Sequence, residues 1–190
     1  MNIKQWWPSI KLFLTLSVLV GGLYSALVTG LAKLFFPFQA GGSLISVNQR
    51  VVGSKWVGQM FTSPQYFQAR PSMTAYQNDK PKSAALLLAG TSSIKAFKQS
   101  QYQKWHTQRL LPDDLLYPSA SMVDPHISMA SIWLQLSSVA KARNISPRWL
   151  SYFIKLYREK PSLGVLGEER VNVLLLNLAL DKELNEQTSS

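Results

Sequence analysis

The chain has 190 residues, a formal net charge of +10 at pH 7 and a 46% apolar fraction. Once an apolar block near the start is set aside, what remains suffices for one domain with a real core. No cysteine is present and histidine occurs twice, at His106 and His126, which excludes disulfides, thiol nucleophiles and thiolate metal sites and leaves no basis for predicting a metal site.

The basic charge is concentrated. Ten Lys and Arg stand between Lys33 and Arg109 against one acid, Asp79, whereas Leu110 onward carries eight basic and nine acidic residues. A field of that kind favours anionic partners or an acidic protein face; its plainer reading is a solvated basic surface.

Between Lys11 and Lys33 lie 21 uncharged residues, LFLTLSVLVGGLYSALVTGLA, which as a helix rise about 31 Å and match a bilayer's hydrocarbon core. Trp6 and Trp7 precede this stretch and Phe35, Phe36 and Phe38 follow it, where aromatic rings prefer the headgroup boundary. Pro8 is expected in the first helical turn and Pro37 after the end. The α-amino group, Lys4 and Lys11 place the amino terminus in the cytoplasm and the remainder outside. A cleaved signal peptide ending near Gly30-Leu31-Ala32 is the competing reading, but the apolar stretch exceeds a signal peptide's hydrophobic region, which favours a retained anchor. Gly22, Ala26 and Gly30 lie four apart and would let a neighbouring helix approach closely.

Ala40-Gly41-Gly42-Ser43 reads as a flexible exit, and LISVNQRVVGSKWVGQMF as short strands broken by Gly53 and Gly58. Residues 62–88, with Pro64, Pro71 and Pro81, read as a long ordered loop of the kind that often carries function. A helix is expected from about Ser92 to Arg109, with Ile94, Phe97 and Trp105 on one side. A second begins at Ser128 and carries the stripe Met129, Ile132, Trp133, Leu136, Val139 and Ala140 to about Asn144. Ser146-Pro147 opens a third with Leu150, Phe153, Ile154 and Tyr157 inward. Arg170 to Leu184, containing VNVLLLNLAL, reads as a buried element, helix favoured over strand, before a frayed tail from Asn185.

The fold class expected is therefore α+β: residues 1–11 cytoplasmic, 12–36 a transmembrane helix, and 37–190 a single mixed extracytoplasmic domain with short strands and three to four helices.

For chemistry, Ser119, Ser121 and Ser128 surround Asp124 and His126, so a membrane-anchored hydrolase using Ser121 or Ser128 with His126 is conceivable. No GxSxG elbow accompanies them, and no Walker, GxGxxG, HExxH or EF-hand pattern occurs. The structural alternative is a rigid helix entry, in which Asp124 accepts backbone hydrogen bonds and Ser128 caps the helix. Lys98, Tyr102, Lys104, Trp105 and Arg109 interleave basic and aromatic side chains, a composition suited to single-stranded nucleic acid. Outside the cytoplasm that partner is scarce, so no nucleic acid is expected and a protein or acidic lipid surface is preferred.

GGSLI at Gly41 to Ile45, VGQMF, YFQARPS at Tyr66 to Ser72, DPHIS at Asp124 to Ser128, VAKAR at Val139 to Arg143 and LGEERVNVLLLNLALD at Leu166 to Asp181 follow one another after the single anchor. In this the chain resembles, over nearly its whole length, the C subunits of Kdp-type potassium-transporting ATPases. The resemblance implies a non-catalytic accessory subunit of a bacterial inner-membrane complex, periplasmic apart from its anchor. It also implies three partners: a channel-like potassium-binding subunit, a P-type ATPase subunit and a small stabilising subunit. The family's role is catalytic chaperone: assembly of the complex and a higher ATP affinity on the pump subunit. ATP, Mg and potassium are then used by the complex, with no cofactor or metal on this chain and no catalytic residue. The interface or loop-shaping candidates are Arg70, Pro71, Ser72, Asp124, Pro125, His126 and Ser128, with Arg70 either pairing with a partner carboxylate or bracing the domain. The sequence departs from the family at Ser83 to Ser92, where Leu87 and Ser92 replace asparagines, at Ala120 and Met122, where glycines are usual, and at Ser138, where arginine is common. A non-glycine residue is strained at either glycine position if φ there is positive.

Overall fold

A computed structural model describes residues 3–72, 76, 91–105 and 110–188. The departures expected between 83 and 90, together with His106 and Arg109, lie outside them. The chain divides into two compact units, Met1–Val52 and Gly53–Ser190.

In the first unit, α1 (Ile3–Leu16), a π-helical stretch (Ser17–Tyr24) and α2 (Ser25–Phe35) run on without a break. The span Trp6–Phe35 is long and apolar enough to cross a membrane, and none of its most apolar stretch is buried. The helix thus starts before the expected boundary, and Pro8 lies inside it instead of in its first turn. A proline that near the end leaves only one early carbonyl without its helical partner. Phe36 leaves the helical region at φ −134°, ψ 56°, as a residue before proline must, and Pro37 opens the single turn α3 (Pro37–Ala40).

The exit that follows is a built turn, not a flexible one. Gly42 and Ser43 take φ +85° and +50°, and the Ser43 N–H donates to the Phe38 carbonyl at 2.9 Å. Next comes a hairpin, β1 (Leu44–Val47) and β2 (Arg50–Ser54), turning at Asn48 and Gln49, both with positive φ.

The second unit is built around a three-stranded antiparallel sheet in the order β3-β5-β4: β3 (His126–Ser128), β4 (Arg158–Glu159) and β5 (Arg170–Asn172). His126 pairs with Asn172, Ile127 with Val171, and Arg158 with Val171. Its helices are α4 (Thr91–Lys104), the single turn α5 (Asp113–Leu116), α6 (Met129–Arg143), α7 (Pro147–Leu156) and α8 (Val173–Thr188). The core gathers Phe67, Ile127, Ile132, Val139, Leu150, Ile154, Val171, Leu176 and Leu180.

The expected last element is strand and helix in succession: β5 turns into α8 at Asn172, whose side chain accepts from the Leu175 N–H at 3.1 Å, and the helix runs past Asn185 through the expected frayed tail to Thr188. In α6 the buried side takes in Ser131 and Gln135 along with Ile132, Val139 and Ala140, while Trp133 is left 38% exposed. The rotation has a cause: Gln135 and Asn177, both buried, grip the extended segment before Arg70. Asn177 bonds Phe67 N and O at 2.9 and 3.0 Å, and Gln135 bonds Gln68 N and O at 2.7 and 3.1 Å. Buried backbone must find partners, and two amides here replace a neighbouring strand.

Candidate functional site

Four of the predicted residues converge. Arg70, Asp124, His126 and Ser128 line one cleft of about 490 Å³, along with Asp113, Asp114 and the Glu168–Arg170 segment. Pro71 and Ser72 border a neighbouring pocket of about 150 Å³ that Arg70 and Tyr76 also line. Pro125 is buried under the cleft, and its carbonyl accepts from the Val173 N–H at 3.0 Å, tying the loop to the start of α8.

The DPHIS segment turns an irregular chain into a strand and then a helix. Asp124 Oδ1 accepts from the His126 backbone N–H at 3.0 Å and meets His126 Nδ1 at the same distance. That side-chain hydrogen bond is the main reason the Asp124 carboxyl lies below its ordinary pKa; burial opposes the shift, while the His126 backbone and the charges of His126 and Arg70 support it. Ser128 caps α6 by accepting from the Ser131 N–H at 3.2 Å. Asp114 accepts in turn from Ser128 N at 2.6 Å, from Ser128 Oγ at 3.2 Å and from Ser131 Oγ. Gly58 donates its N–H to the Val123 carbonyl at 2.6 Å, and a Cβ there would fall 3.0 Å from Asp124 O and 2.8 Å from the Tyr76 ring.

Arg70 Nη2 donates to the Pro118 carbonyl at 3.5 Å, and the Arg70 backbone carbonyl accepts the Tyr76 hydroxyl. Burial pushes the Tyr76 phenol up to about 12, with Arg70 lowering it and Asp124 raising it by smaller amounts.

On its far side His126 Nε2 stands 3.5 Å from Glu159 Oε2 without a hydrogen bond. Glu159 accepts from Arg170 Nε at 3.1 Å, and Arg158 pairs with Glu169 at 3.0 Å, so charges alternate across β4 and β5. Among the described residues no serine hydroxyl bonds His126. Ser121 Oγ meets Ser119 Oγ and accepts from Val123 N, and Ser128 is engaged with Asp114 and Ser131. A serine nucleophile needs its base within hydrogen-bond reach, and this histidine is directed to two carboxylates instead.

Several participants escaped the sequence reading. Asp114 and Glu159 complete the network above, and Arg143 and Asp181 pair at 2.8 Å. Arg143 also donates to the Gln65 carbonyl at 2.6 Å and lies over the Tyr66 ring, whose hydroxyl donates to Asp181 at 3.0 Å. Arg143 closes the VAKAR motif and Asp181 the LALD motif, a pairing visible only once both helices are placed. Gly22, Ala26 and Gly30 do not enter the cleft. They lie in the exposed apolar helix, where a Cβ on either glycine would meet nothing within 4 Å. Among the described residues no group of three His, Asp or Glu stands close enough to hold a metal ion.

Residues 6–182 match the family model described as "KdpC: K+-transporting ATPase, c chain". Three similar proteins carry the name "Potassium-transporting ATPase KdpC subunit". That of Geobacter sulfurreducens is 40% identical over 190 residues, covering 94% of this chain and 98% of the relative. That of Methylococcus capsulatus is 40% identical over 189 residues, with the same coverage of 94% and 98%. That of Polynucleobacter asymbioticus is 41% identical over 182 residues, covering 90% and 95%.

Proposed function

The chain belongs to the family of K+-transporting ATPase c chains, the KdpC subunits, and from that membership we propose that it is a non-catalytic, membrane-anchored accessory subunit of an ATP-driven potassium uptake complex. The reading is carried by a family match that starts within the apolar helix and runs on into α8, so that anchor and domain match together. The DPHIS cleft, in which hydrogen bonds within the chain take up Asp124 and Ser128, is consistent with a structural role.

Its amino terminus lies in the cytoplasm and its second unit outside, as the flanking Lys4 and Lys11 favour. Its partners are a channel-like potassium-binding subunit, a P-type ATPase subunit and a small stabilising subunit. ATP, Mg and potassium belong to that complex, and the chain itself needs no cofactor. It stabilises the assembly and acts as a catalytic chaperone that raises ATP affinity. ATP binds on the cytoplasmic side, so the effect passes through helix packing and subunit conformation, and the chain must bind two states of the complex unequally.

The test is the complex purified with and without this chain. A coupling of ordinary size raises the ATP concentration for half-maximal turnover by about 5- to 150-fold when the chain is missing. Unchanged ATP dependence in an intact three-subunit remainder would refute the chaperone role. Failure of the tagged chain to bring down any subunit would refute the accessory role altogether.

A further inference from the structure

β4 and β5 are joined by a tight turn that carries its apolar side chains on the outside. Ser162 and Leu166 exchange both backbone hydrogen bonds at 2.9 Å, the Gly164 N–H donates to the Pro161 carbonyl at 3.0 Å, and the Val165 N–H donates to the Ser162 carbonyl at 3.3 Å. Leu163 and Gly164 take φ +55° and +80°, the positive values that a reversal this short requires at its two central residues. Asparagine or aspartate would serve that geometry with less strain and without apolar surface. Instead Leu163 is 90% exposed, Val165 80% and Leu166 61%. No core in the chain gains from these three side chains, so their surface is matched to an apolar phase outside it.

That phase is lipid. The N–H groups of Ser162, Gly164, Val165 and Leu166 are spent within the turn, so the tip presents side chains and no row of donors for a neighbouring strand. The charges beside it suit anionic headgroups. Lys160 leads into the turn, and α7, which precedes it through β4, exposes Arg148, Tyr152, Lys155 and Leu156 along one side and carries no acid. The nearby acids are turned elsewhere: Glu159 pairs with Arg170, Glu169 with Arg158, and Glu168 lines the cleft. Lys155 and Lys160 have no ion pair among the described residues. Exposed leucines and valines flanked by free cations and a tyrosine are the composition of a bilayer-surface contact. A bilayer is also within reach by covalent connection, because from Phe35, where the apolar span ends, to Gly53, where the second unit begins, the chain extends about 60 Å at most.

We propose that the Pro161–Leu166 turn is a second membrane contact of this chain, which sets Leu163 and Val165 at the headgroup–acyl boundary with Lys160 against anionic phosphates. The proposal goes beyond the accessory role and does not rest on it.

The absence of cysteine makes the test direct. Full-length Val165→Cys, and Lys141→Cys on the exposed side of α6 as control, are labelled with an environment-sensitive fluorophore in nanodiscs of phosphatidylcholine and phosphatidylglycerol. The label at position 165 is expected to be quenched by spin-labelled lipid and to be several-fold less open to aqueous iodide than the label at 141, which lipid-borne quencher leaves bright. Adding Leu163→Asn, which keeps a residue tolerant of positive φ, is expected to return the 165 label to iodide; no change would mean that the fluorophore itself seeks lipid and overturns the proposal. A 165 label open to iodide and untouched by spin-labelled lipid overturns it as well. Protection that arises only when the other ATPase subunits are assembled hands the tip to a protein partner and overturns the lipid contact. Quenching of equal strength in phosphatidylcholine alone removes Lys160 and anionic phosphate from the proposal. A chain that inserts this tip yet brings down no ATPase subunit sinks the accessory role and leaves the membrane contact standing.

Discussion

Asp124 is the residue whose environment has the clearest consequence. Its carboxyl is held below the ordinary value of 3.8, first by the His126 side chain. A carboxylate with a depressed folded pKa stabilises the fold above its unfolded pKa, and that contribution is lost as pH falls through the folded value. Unfolding of the full chain in detergent, followed by circular dichroism between about pH 5 and pH 2, is therefore expected to show a steeper loss of stability for the wild type than for Asp124→Asn. Parallel curves would mean that the Asp124–His126 contact contributes nothing. Met122 illustrates the opposite case, a residue at odds with its backbone. It takes φ +65° yet is only 5% exposed, whereas Ala120, the other departure from a usual glycine, is not in that region. The left-handed conformation costs about 1–2 kcal/mol for a residue with a Cβ, and burying a methionine side chain returns about 1.5–3 kcal/mol. The two are of similar size, so burial offsets much of the strain of a side chain standing where glycine would be unstrained.

At the level of elements, the buried amides matter most. Asn177 of α8 holds both backbone groups of Phe67, and removing one partner of a buried hydrogen bond costs about 1–3 kcal/mol for each group left unsatisfied. Asn177→Ala is thus expected to lower the unfolding free energy of the full chain in micelles by about 2–6 kcal/mol, read from a denaturant titration; a loss under about 0.5 kcal/mol would mean that water or the neighbouring backbone takes over. The same amides show what was legible in the sequence. The Ser128 cap, the proline-opened α7 and the inward Leu150, Phe153 and Ile154 follow from local rules, and the structure has them; Tyr157, expected inward with them, lies just past the helix end and is 41% exposed. Gln135 does not announce itself, because a glutamine beside an apolar stripe looks like surface until the chain it grips is placed 67 positions earlier. Asp114 is hidden in the same way: its partners Ser128 and Ser131 are 14 and 17 residues on. In Arg170 to Leu184 the one local mark of the change from strand to helix is Asn172, whose side chain caps α8 by accepting from the Leu175 N–H; the strand before it is set by pairing with β3 and β4, which no local pattern shows.

For the molecule as a whole, the chain joins a helix with no buried side of its own to a unit with an ordinary core. Within the helix Ala26 and Gly30 offer a surface where a second helix can come close. Replacing both by Leu fills that surface without touching any intramolecular contact at Gly30, since nothing lies within 4 Å of a Cβ there. The double variant is expected to keep the helicity of the isolated chain and to recover several-fold less of the other subunits on affinity purification; full recovery would assign that face to lipid.

The π-helical stretch Ser17–Tyr24 gives the helix a phase. Wider turns take up residues that an α-helix would have used to advance its side chains by about 100° each, so Trp7 and Lys11 on one half do not project along the line extrapolated from Gly30 on the other. The two leaflets are consequently addressed by differently clocked surfaces of a single rod, and shortening the Gly21-Gly22 pair by one residue would swivel the amino-terminal half of the rod against the other while leaving every side chain's chemistry intact.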